Sequence, residues 1–281
     1  MSLILVATGC STAPVERPQQ EAPAVPAITK EEARSLALPF DAYEVSTADI
    51  HTIESAEDIL LRDCMRDKGM DWQLLPRPRG GNPDYPNRRR YGVIEPRIAA
   101  EFGYHAPPES PEILQRKADW DERIAGLQRS EQRAAYGKNG VGGCWEKAHE
   151  RLLQNVRKSD HELFNQRIGQ NFDKSQRDAE VVKVFRAWST CMKKEGFSYT
   201  DPLEAIGDPQ WEQSPRPSSR EIDVAEEDVR CKRETDLVAT WNGAESAIQK
   251  ETIRSHADEF RALKARKQLR LEAARRILEH R

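Results

Sequence analysis

Apolar residues recur at three- and four-residue steps through most of the chain beyond residue 45, the spacing of one helix face. Ile53, Leu60, Leu61 and Cys64 form a first, irregular stripe. Ile113, Leu114, Ala118, Trp120, Ile124 and Leu127 form a second, predicting a helix from 112 to about 135. Trp145, Ala148, Leu152 and Val156 predict another from 144 toward 167, and Val181, Val184, Trp188 and Cys191 one over about 175–195. The last pattern opens at Ser219, a cap followed by an acid in the first turn. It carries Leu237, Trp241, Ala244, Ile248, Ile253, Ala257 and Phe260 with no proline, so it predicts a helix of roughly 40 residues or more. Beyond Leu263 the chain is rich in Arg, Lys and Ala around Leu269, Leu271 and Leu278. That end either projects partly solvated or pairs with a partner helix, since a long helix needs a seam to bury.

No run of alternating residues marks a strand. Two stretches, 73–111 and 202–217, have no sustained period. The expected fold is mainly α: about five or six antiparallel helices, two long irregular loops, two disulfides and a long C-terminal helix.

Two helical patterns end alike. Leu61-Arg-Asp-Cys64-Met65-Arg-Asp-Lys-Gly69-Met70-Asp-Trp72 is matched by Trp188-Ser-Thr-Cys191-Met192-Lys-Lys-Glu-Gly196-Phe197-Ser-Tyr199. The shared Cys-Met-x-x-x-Gly-apolar-x-aromatic segment reads as a helix stop. Gly in the left-handed conformation would let the apolar residue after it pair with the Met one turn inside the helix. Each stop is followed by another cysteine, Cys144 and Cys231, early in the next helical pattern. The organisation is therefore two Cys-containing repeats, about 45–165 and 170–281, forming one helical domain over 45–281.

The chain opens Met-Ser-Leu-Ile-Leu-Val-Ala-Thr-Gly-Cys10-Ser. A short apolar run, small residues and then Cys resemble the end of a bacterial lipoprotein signal. The resemblance makes 1–10 a signal remnant, Cys10 the lipidated residue, and membrane lipid the first partner. The run is short and lacks a preceding basic residue, as expected if the true start lies upstream of Met1. Residues 11–44 are rich in Pro, Ala and Glu without periodicity and read as a disordered tether, because they cannot bury enough apolar surface to offset ordering.

Setting Cys10 aside leaves Cys64, Cys144, Cys191 and Cys231, an even number that favours two disulfides in an exported chain. Four cysteines allow three connectivities. The repeat favours Cys64–Cys144 and Cys191–Cys231, with cross-pairing between the halves as the alternative. The six His residues are scattered and no C-x-x-C occurs, so no metal is expected.

The Cys-Met-x-x-x-Gly segments, together with residues 90–96, 102–105, 140–144 and 221–241, are similar to a group of actinobacterial secreted lipoproteins. The likeness covers roughly 45–265. It implies export and disulfides and carries no activity with it.

Lys and Arg number 44 against 47 Asp and Glu, a formal charge of −3. That balance excludes the strong basic excess of a general nucleic-acid binder. No window approaches the ~20 apolar residues of a spanning helix, which excludes a polytopic membrane protein.

Candidate ligand or partner contacts lie in the first irregular stretch: Arg88, Arg89, Arg90 and Tyr91, with Tyr104 and His105. Arginines beside aromatics bind phosphates, carboxylates or sugars. The plainer reading has the aromatics pinning the loop while the arginines face solvent. The turn at 139–143 is glycine-rich but lacks the Gly-Lys-Ser/Thr ending of a nucleotide loop. No nucleophile, zincin or Walker motif is present, and no cofactor is expected. The function expected is a lipid-anchored extracytoplasmic protein binding an envelope protein or wall polymer. The alternative is an envelope hydrolase with paired carboxylates.

Overall fold

A computed structural model of the chain describes residues 36–77, 87–154 and 161–280. Cys10 and most of the expected tether lie outside them.

The described residues form eleven α-helices. They are α1 (Thr47–Arg66), α2 (Pro96–Phe102), α3 (Pro111–Gly126), α4 (Arg129–Tyr136), α5 (Cys144–Leu152), α6 (His161–Ser175), α7 (Ala179–Lys194), α8 (Pro202–Ile206), α9 (Ser219–Glu234), α10 (Leu237–Ser255) and α11 (Ala257–Glu279). No strand occurs among the described residues; Lys138 and Val141 make a single bridge across a tight turn.

Both stop motifs close as the sequence expects. Gly69 and Gly196 have φ of 71° and 88°. Met70 N–H donates to Met65 O and Gly69 N–H to Arg66 O, and the same pair of bonds joins Phe197 to Met192 and Gly196 to Lys193. This is the Schellman arrangement, and Met65 and Met192 are fully buried beneath it. One turn before each stop, Cys64 bonds to Cys144 at the start of α5, and Cys191 to Cys231 in α9. Each repeat therefore staples its stop helix to a later one.

Three expected helices are shorter than their apolar patterns. The pattern over 112–135 breaks at Leu127, which turns extended, and α4 restarts on a Gln128–Glu131 capping box. The helix expected from 144 toward 167 ends at Leu152, and α6 begins at His161; Val156 lies outside the described residues. The long pattern from Ser219 is three helices. Asp236 adopts φ +54° between α9 and α10, and His256, with φ −126°, separates α10 from α11. No proline is needed, because burying the same stripe on different partners turns the chain at two residues of low helix preference.

Those turns fold the C-terminal half back on the N-terminal half. Leu271 and Ala274 of α11 pack with Ile53 and Ala56 of α1 and Leu152 of α5. The partner that the end of the helix needs is thus supplied by the chain itself. The expected tether also stops short of 44. Leu36 is buried in the main core, and Phe40 packs with Phe164, Phe260 and Leu263.

The main core joins α7, α9 and α10 with the segment 91–104, around Trp188 and Trp241. Inside it, Asp228 and Lys232 form a buried ion pair at 2.7 Å. Burial opposes the charged form of each, raising the Asp228 pKa and lowering that of Lys232, while their contact works against both shifts. Further bonds secure the pair: Trp188 Nε1–H donates to Asp228 Oδ1, and Lys232 Nζ donates to Val93 O. A smaller core around Cys144 joins Leu61, Met65, Trp72, Ala135 and Ala148.

Candidate functional site

The arginine-rich segment singled out from sequence is turned inward. Arg88 pairs bidentately with Glu95. Arg89 donates to the carbonyls of Tyr104 and His105. Arg90 grips the fully buried Glu245 of α10, and Tyr91 Oη–H donates to the same carboxylate at 2.9 Å. Burial beside Glu245 pushes the Tyr91 hydroxyl pKa well above its ordinary value. The arginines expected to face solvent are therefore half-buried and paired: Arg88 and Arg89 tie the loop to itself, and Arg90 ties it to α10.

Tyr104 stacks obliquely on Trp211, 5.8 Å between centroids, joining the two irregular stretches. His105 ties the same stretches together. Its Nδ1 lies 2.7 Å from Glu221 Oε1 and its Nε2 2.9 Å from Ser214 O. Both ring nitrogens face acceptors, the arrangement of a doubly protonated ring, and these bonds raise its pKa. The six residues form a keystone between loop and core; the arginines, Tyr91 and His105 turn their polar groups to partners within the chain, and Tyr104 contributes its ring, its buried hydroxyl making no hydrogen bond.

The glycine-rich turn satisfies itself too. Asn139 and Gly140 take φ of 56° and 82°, and Gly142 N–H donates to Glu146 one turn into α5. A Cβ at Gly137 would lie 1.8 Å from Val141 O, so the turn closes on bare backbone. Among the described residues no cluster of His, Cys, Asp and Glu is arranged to hold a metal ion.

An open cavity of about 180 Å³ lies elsewhere, between α1, α3, α5 and the segment after Trp72. Trp120 of α3 and Trp145 of α5 line it, with Leu61, Leu75 and Pro76 among its apolar residues and Glu54, Arg116 and Ser55 among its polar groups. The sequence pattern puts both tryptophans on buried stripes. They are instead 43% and 40% exposed.

The reason is how α3 is held. Its only buried residue is Arg123, and Ile113 and Leu114 also face out. The helix is fastened to α1 by polar side chains. Arg116 pairs with Glu54, and Arg123 pairs with Asp58 and donates to Gln73 O. Asp58 in turn accepts from Trp72 Nε1–H and Leu75 N–H.

Both exposed indoles are braced by a neighbour one turn on. The Arg123 guanidinium lies 4.7 Å from the Trp120 ring and 4.5 Å from the Trp72 ring. Trp145 stacks on His149, 5.5 Å between centroids and 17° between planes, and His149 is fixed by Glu57. Glu57 also receives Arg270 from α11. Two aromatic surfaces with restricted rotamers thus face one cavity. The acids on both sides of Trp120, in Asp119-Trp120-Asp121-Glu122-Arg123, are the one sequence signal that this tryptophan lies outside the core.

No family model matches this chain, and neither curated proteins nor solved structures give a match.

Proposed function

We propose that this is an extracytoplasmic helical protein, anchored to the cell membrane by lipid on Cys10, that binds an envelope protein or wall component. The observation that carries the reading is the fate of the other sulfurs. Cys64, Cys144, Cys191 and Cys231 are consumed in two bridges, one within each repeat. Paired cysteines at both helix stops suit an oxidising compartment. The likeness of residues 1–11 to a lipoprotein signal, and of 45–265 to secreted actinobacterial lipoproteins, supports the same location. No helix among the described residues is long and apolar enough to cross a membrane. The cavity between α1, α3 and α5, with its two braced indoles, supports binding as the activity.

A hydrolase would need a carboxylic acid to release a proton and a second carboxylate beside it. The cavity holds Glu54, Glu57 and Asp58, but each already accepts from Arg116, from His149 and Arg270, or from Arg123. That arrangement suits a scaffold better than acid–base turnover.

The test is non-reducing mass mapping of the protein recovered from the membrane fraction of an exporting host. The expected result is an acylated N-terminal peptide beginning at Cys10 and two bridged peptides. Water-soluble protein with five reactive thiols would overturn the proposal.

A further inference from the structure

We infer that the cavity between α1, α3 and α5 is a binding site for an uncharged oligosaccharide, held by stacking on Trp120 and Trp145. The inference deepens the binding function proposed above and rests on it only for which sugars the protein meets. Sugar rings present a face of weakly positive C–H groups and a rim of hydroxyls. The first matches the negative face of an indole, and the second needs charged or amide groups at the edge of the aromatic surface. Both are present. Trp120 and Trp145 are well exposed on the cavity, and each is braced by a residue of its own helix, Arg123 and His149. Pre-set rotamers lower the ordering cost of binding. Glu54 and Arg116 at the edge offer paired acceptors and donors, the pattern that bonds adjacent hydroxyls.

Charge selects among ligands. Every carboxylate lining the cavity is already paired with a guanidinium: Glu54 with Arg116, Asp58 with Arg123 and Glu57 with Arg270. No net charge is left to attract a phosphate polymer or a cation, so the ligand favoured is neutral and hydroxyl-rich. The open mouth suits a chain passing across the indoles rather than an enclosed monosaccharide.

The experiment uses the full chain with both disulfides formed and an N-acetylglucosamine tetramer as probe. Of the six tryptophans, Trp72, Trp188, Trp211 and Trp241 are buried, so acrylamide quenching reads mainly Trp120 and Trp145. The tetramer at millimolar concentration is expected to protect that fluorescence. Trp120→Ala and Trp145→Ala should each weaken binding about 10-fold while far-ultraviolet circular dichroism stays unchanged. Ile113→Ala, on the exposed side of α3 but not lining the cavity, should bind normally. Three results would overturn the inference: no protection by the tetramer, protection unaffected by both tryptophan variants, or binding only of a proline-rich peptide with the sequence of residues 13–26. The measurement is made on isolated protein. Its failure leaves the membrane location standing, and failure of the mass mapping leaves the site standing.

Discussion

The two repeats share a helix stop and a disulfide and differ in nearly everything packed around them. In the second, Trp188 stands one turn before Cys191 and is fully buried, bonded to Asp228 within a core that also holds Trp241 and Cys231. In the first, Leu61 occupies the corresponding position, Cys64 is half-buried, and the core beyond it is small. The tryptophan that follows the first stop, Trp72, lies against Arg123 and bonds to Asp58. One repeat has become a sealed core and the other the wall of an open cavity. Identical local geometry therefore does not set the stability of its surroundings. That depends on how much apolar surface later helices bring to it.

The largest effect should separate the two tryptophan environments. Trp188→Ala leaves a cavity and takes a donor from buried Asp228, and should cost about 5 kcal/mol in urea unfolding. Trp120→Ala, on an exposed ring, should cost under about 1 kcal/mol. Equal losses would erase the distinction between sealed and open halves.

The staples come next. Replacing Cys64 and Cys144 together, or Cys191 and Cys231 together, should each lower stability by about 4 kcal/mol on the loop-entropy argument. Their accessibility should differ, because Cys64 is half-buried and both partners of the second bridge are buried. Under mild reductant, alkylation followed by peptide mass analysis should label Cys64 before Cys191. The reverse order would contradict the assigned cores.

The helix stops should respond alike. Gly69→Ala and Gly196→Ala meet no atom within 4 Å, so each loses only the ease of a positive φ. A cost of about 1 kcal/mol at both sites is expected, and a large inequality would show that the stops are not equivalent.

The smallest effect is a pH dependence that belongs to one side. His105 is raised above its usual pKa by its bonds to Glu221 and Ser214 O. Its contribution is therefore fully present below pH ~6.5 and lost as pH rises through the higher folded value. The gain, about 1 kcal/mol for a contact partly open to solvent on its imidazole side, should vanish in His105→Gln, flattening the difference in stability between pH 6 and pH 8. A variant with the same pH profile as the parent would remove His105 from the clasp.

Much of the scaffold was legible from residue spacing. The Cys-Met-x-x-x-Gly segments mark their own ends because a left-handed residue after a helix is a local requirement, met by Gly and accompanied by an apolar pair. The pairing of cysteines within repeats followed from the duplicated order of stop and later helix. The cavity was not legible. Trp120 and Trp145 sit on regular apolar stripes, and periodicity cannot distinguish a stripe that finds a partner from one that does not. Arg90 and Glu245 lie 155 residues apart, so nothing local to the arginines announces their carboxylate.

By itself the sequence determined a chain of helices and where two of them stop, and it favoured one pairing of the sulfurs over another, since these rest on backbone conformation and the order of like segments. Only the tertiary structure decided that the apolar pattern from Ser219 would bend at Asp236 and His256, that its end would seat on α1, and that α3 would attach through ion pairs and leave its tryptophan outside. Burial is a property of two surfaces meeting, and the second surface lies far away in the chain.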